Sequence, residues 1–72
     1  NPAGAVLNVR IDNTQLVDIR WEVHDTGGIR VLEGVADGRE FIIDISRLAP
    51  GIYFLKIGDD RNYPVVKFIK HR

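Results

Sequence analysis

The chain predicts an all-β fold, a sandwich or small barrel of short strands, and three observations carry that prediction. Apolar side chains recur at every second residue, turn-forming residues separate the runs, and no window sustains a helical repeat. A half-buried strand needs one apolar face and one wet face, and alternation with period two supplies both.

Leu7, Val9 and Ile11 alternate with Asn8 and Arg10, which makes the first clear strand. From Val17 to Val23 the odd positions are Val17, Ile19, Trp21 and Val23; Asp18, Arg20 and Glu22 lie between them and His24 follows. That run predicts a strand with Trp21 turned inward. Asp25-Thr26-Gly27-Gly28 supplies positive φ without a Cβ clash, so a hairpin leads into a strand from Ile29 to Val35. Asp37-Gly38 reads as a two-residue hairpin between the third and fourth strands. Phe41, Ile43 and Ile45 point inward, with Asp44 and Ser46 outward. Ser46-Arg47-Leu48-Ala49 has room for one helical turn and no more. Pro50-Gly51 fits a type II turn with positive φ at Gly51. Tyr53, Leu55 and Ile57 form the next inward set. Asp59-Asp60-Arg61-Asn62 is a polar loop, and Tyr63 to Lys70 closes the chain as a strand with Pro64 at its start or edge. The facing of the third and last strands is left open by the pattern.

Composition narrows what such a fold does. Seventy-two residues make one domain, 1–72, with a lean core. There is no cysteine, hence no disulfide staple and no thiolate nucleophile. Ten basic residues balance ten acidic ones, so no global field gathers nucleic acid or anionic lipid. The apolar runs are too short for a membrane-spanning helix. Asn1-Pro2-Ala3-Gly4 carries neither a charged n-region nor an apolar h-region, and opening on turn residues suggests a fragment of a longer protein.

No constellation for chemistry is legible. His24 and His71 lack partners at metal-ligand spacing, and His24 continues the polar side of its strand. Asp59 and Asp60 are adjacent, but one acidic pair falls short of a calcium loop. Ser46, Thr14 and Thr26 have no base nearby, and Gly27-Gly28 precedes no helix that would complete a phosphate site. The expectation is a protein without catalytic residues, metal or cofactor.

Two features exceed what packing and solvation require. Ile52 and Phe54 alternate out of phase with Tyr53, Leu55 and Ile57, so both faces of that strand carry large apolar groups. Either a loop or terminus covers the second face, or it is an apolar patch for a partner or a homodimer, which Ile42 would extend. The second feature is the cationic end, Lys67-Phe68-Ile69-Lys70-His71-Arg72. Lysines there either blunt a strand edge against aggregation or form an address that a receptor reads.

In their order along the chain these residues resemble the C-terminal sorting domain, type A, of proteins exported by the type IX (Por) secretion system of Bacteroidetes. Asn1-Pro2 looks like the end of that family's opening element, here truncated, and Leu7-Asn8-Val9 like its first strand. Asp25 to Gly34 is similar to its Asp-x-x-Gly turn, with Gly28 as the matching glycine, Gly27 as an extra one, and Val31 as the inward residue that follows. The block from Ile43 to Ile57, with Leu48 and Gly51-Ile52-Tyr53, resembles the most diagnostic stretch, and Lys67-Phe68-Ile69-Lys70 the closing strand. The resemblance implies a seven-stranded antiparallel immunoglobulin-like sandwich. It also implies a cargo N-terminal to the fragment, passage through the periplasm to the outer membrane, cell surface or medium, recognition by an outer-membrane shuttle protein, and removal by a sortase. Lys67, Phe68, Ile69, Lys70 and Arg72 are then the expected recognition residues, while Gly51 and Tyr53 shape the fold. The rival is a fibronectin-like carbohydrate-binding or adhesion module, whose outward rings are limited to Phe54 and Tyr63.

Overall fold

The computed structural model describes residues 2–11, 18–58 and 65–71. Seven strands follow in chain order: β1 (Pro2–Ala3), β2 (Val6–Arg10), β3 (Ile19–Asp25), β4 (Arg30–Ala36), β5 (Glu40–Asp44), β6 (Gly51–Ile57) and β7 (Val65–Lys70). Five of them form one sheet in the order β1-β7-β6-β3-β4, and β2 and β5 form the other. Every pair is antiparallel except β1 with β7, which is parallel, with Pro2 beside Ile69 and Ala3 beside Lys70. That short pair is the exception within the antiparallel sandwich the sequence predicts. The architecture is an immunoglobulin-like sandwich.

The period-two pattern decides what lies between the sheets. Val9, Ile43 and Ile45 from the smaller sheet's side meet Ile19, Val23, Leu55 and Phe68 from the larger one in a single buried cluster. Val23, Ile43, Ile45 and Phe68 are almost wholly removed from water. Trp21 turns inward as expected, and Gly34, its cross-strand neighbour, makes the room. A β-carbon at Gly34 would lie 2.5 Å from the Trp21 ring atom Cζ2, so only glycine fits beneath the indole.

The turns divide into those that match the pattern and those that do not. Asp25 to Gly28 does form the β3–β4 hairpin. The Asp25 carboxylate accepts from the Gly27 and Ile29 amides at 2.9 and 3.0 Å, and Gly28 takes φ +82°. Asp37-Gly38 is not a hairpin. It carries the chain from β4 in one sheet to β5 in the other, and β5 pairs instead with β2. Turn chemistry reports a reversal of direction, not which strand the chain meets afterwards. Gly51 has φ +156°, positive but far from the value of about +80° in a type II turn. It opens β6 in an over-extended backbone that side chains avoid. Residues 46–47 form one turn, closed by the Leu48 amide on the Ile45 carbonyl at 3.0 Å. Asp18, expected inside a strand, sits at φ +53°, and β3 begins only at Ile19. Asn1, Thr14, Val17, residues 59–64 and Arg72 lie outside the described residues.

Candidate recognition surface

The facing of β7, which the sequence left open, is set by its register on β6. Phe68 lies across from Tyr53, Val66 from Leu55 and Lys70 from Gly51, which turns these β7 residues toward the core. Lys67 lies across from Phe54, Ile69 from Ile52 and Val65 from Lys56, which turns them outward. Ile52 and Ile69 are 40% and 39% exposed although they are large, apolar and directly opposite each other. Phe54 is half-buried, with exposed Lys67 on one side and His24 of β3 on the other. Val65 extends the patch at 58% exposure.

The patch and Lys67 of the cationic end, read separately in the sequence, therefore share one surface. Among the described residues no segment covers Ile52 and Ile69, and β1 joins the sheet edge beside β7 without crossing that face. Ile42 does not extend the patch. It stands across from Asn8 on the outward side of β2–β5, the opposite face of the sandwich. Residues paired in this way share one face of their own sheet, and the two outward faces of a sandwich point apart.

Two of the expected recognition residues prove to be interior. Phe68 is 1% exposed and stacks on Tyr53, with ring centroids 5.7 Å apart and planes inclined by 26°. Lys70 is 6% exposed, and its Nζ donates to the His71 carbonyl at 2.6 Å. Neither presents its side chain to a receptor in this conformation, and the expectation is corrected for both. The cause is parity: a strand that shows Lys67 and Ile69 to solvent must turn Phe68 and Lys70 in. Tyr53 packs its ring in the core while its hydroxyl donates to the Ala49 carbonyl. Leu48 packs against the same core from the turn before β6.

Beyond Phe54 the same outward face changes character. Glu22 and Glu33 lie directly opposite each other on β3 and β4. Like charges in that position repel. The register shifts between Val23 and His24, so that His24 pairs with Arg30 and Val31 has no cross-strand partner. This irregularity brings the Arg30 guanidinium to 3.6 Å from Glu22 and 3.7 Å from Glu33. A hydrogen bond from His24 at 2.9 Å, seconded by the charge of Arg30, holds the Glu22 carboxyl below its ordinary range. Asp44, on the other sheet, is lowered by hydrogen bonds from Ser46. The contacts around Glu22 were missed in the sequence because the irregularity changes which residues share a face, and period-two counting has no signal for it.

For chemistry the arrangement offers little. Among the described residues no group of three or more histidine, cysteine, aspartate or glutamate side chains converges on a point that would hold a metal ion. The Asp59-Asp60 pair lies outside the described residues. Trp21 is committed to the core and Tyr63 lies outside the described residues, so the outward ring available to a sugar is Phe54. What remains is an apolar strip with a cation set in it, suited to contact with another macromolecule.

No curated protein and no solved structure matches the chain. A family model does: residues 1–71 match the model described as the secretion system C-terminal sorting domain. The match spans almost the whole sequence and accords with the β-sandwich. The chain belongs to the family of secretion system C-terminal sorting domains, the type IX sorting family that its motifs resemble.

Proposed function

We propose that this domain is a sorting signal read through the outward face of β6 and β7, with Ile52, Phe54, Lys67 and Ile69 as the contact residues. The observation that carries the reading is the uncovered Ile52–Ile69 pair beside the Phe54–Lys67 pair. Burying exposed apolar surface yields about 25 cal/mol per Å². A lysine within that strip adds orientation, because a carboxylate on the partner gains most where water is excluded. An outer-membrane shuttle protein and a sortase are the partners this reading assigns to the face. The cargo precedes the domain in the chain, crosses the periplasm, and reaches the cell surface or the medium after the domain is removed.

The test is export of a periplasmic reporter fused ahead of residues 1–72, in a host with type IX machinery. The double substitution Ile52→Ser with Ile69→Ser, and separately Lys67→Ala, should leave the reporter in the periplasm. Ile42→Ser, on the opposite face, should export as the parent does. Normal export of the double variant, with its unfolding midpoint unchanged, would remove this face from recognition.

A further inference from the structure

We infer that Lys70 is a positioning residue: its ammonium ties the backbone just beyond β7 to the end of the sandwich and thereby fixes how Ile69 is presented. The inference deepens the proposed reading of the β6–β7 face and rests on it for its consequence in export, though not for the tie itself. A lysine at the end of a final strand ordinarily extends into water, where its three donors are satisfied without ordering the side chain. Lys70 does the opposite. Its parity sends it to the core side of β7, one inward position beyond Phe68, and only 6% of it remains exposed. The stem thus lies against the end of the core while the head turns to the carbonyl of its own successor, Nζ to His71 O at 2.6 Å.

The location gives that bond leverage. Lys70 sits where three strands end together, between Ala3 of β1 and Gly51 of β6. Gly51 contributes no side chain to this last rung. Ile69, outward and immediately before, depends on that rung for its orientation. A bond to an ionised donor is worth more than a neutral one. Leaving a shielded ammonium without an acceptor is costly, which favours a bonded His71 carbonyl over a free one. Methionine would match the stem and lose the donor; arginine would keep donors in a different geometry.

Nuclear magnetic resonance on the 72-residue chain decides the matter without any substitution. The Lys70 side-chain ammonium signal should persist when those of exposed Lys56 and Lys67 are lost to exchange with water, and it should couple through the hydrogen bond to the His71 carbonyl. An ammonium signal for Lys70 that exchanges like the other two overturns the inference. In Lys70→Met the heteronuclear Overhauser effect at the His71 amide should fall to that of an untethered chain end while the β3–β4 amides keep theirs. An unchanged value in the folded variant also overturns the inference, and Lys70→Arg should restore part of the loss. In the reporter assay Lys70→Met should reduce export. If the parent fusion itself is not exported, the sorting reading fails and the tie, decided by the spectra, does not.

Discussion

Two halves of one sheet face the solvent side by side and treat it differently. On β3 and β4 the outward side chains answer one another: Arg30 reaches both Glu22 and Glu33, and His24 bonds Glu22. On β6 and β7 they do not, and Ile52, Ile69 and Val65 stay in water beside an exposed lysine. A surface that satisfies its own charges has little to gain from a partner, whereas one that leaves paired apolar groups wet gains whenever it is covered. Single exposed apolar residues such as Ile42 and Ile29 carry no such meaning, because most protein surfaces have them.

Phe68→Ala tests the inward side of the same strand and should have the largest effect. Removing a fully buried phenylalanine costs about 3–5 kcal/mol, which in so small a domain should abolish cooperative unfolding monitored by circular dichroism. If that variant stays folded while Ile69→Ser unfolds, the assignment of the two faces of β7 is inverted. Gly34→Ala comes next, because the added methyl meets the Trp21 ring, and overpacking of this kind costs about 1–3 kcal/mol. A denaturant midpoint equal to the parent's would mean that the β3–β4 half is looser than its packing indicates. Tyr53→Phe removes the hydroxyl bond to Ala49 and should cost about 0.5–1.5 kcal/mol, again read from the denaturant midpoint.

The smallest effect separates the two halves by pH. Glu22 and Asp44 titrate below their ordinary values in the folded state, so they bind protons less readily there than in the unfolded chain. Their contribution is complete above the ordinary carboxylate range and is lost as pH falls through it toward the lowered values. Amide protection factors in mild acid should therefore fall in β3–β4 before β6–β7, and Glu22→Gln should flatten that dependence. Acid that loosens β6–β7 first would contradict the division.

Much of this was legible in the chain. The alternations of Leu7 to Ile11, Ile19 to Val23 and Tyr53 to Ile57 each have one polar or mixed face, and each strand lies as its pattern indicated. The last strand resisted because Val65 and Ile69 are as apolar as Val66 and Phe68, so either parity satisfies the count. Only the register on β6 separates the lysine that faces water from the one that does not. Ile42 misled for a related reason: parity locates a residue on a face of its own sheet but does not say which sheet that is. The membership of each sheet is settled by pairing across long separations, β2 with β5 and β1 with β7, and local patterns do not encode such pairing.

The parallel rungs of Pro2 with Ile69 and Ala3 with Lys70 bind the start of the domain to its finish. Synthesis runs from one to the other, so β1 has no partner in this sheet until β7 has emerged, and until then β6 keeps an open edge. Closure of this sheet thus waits on β7: a chain truncated before Val65 lacks both the rung that receives β1 and the exposed Ile69.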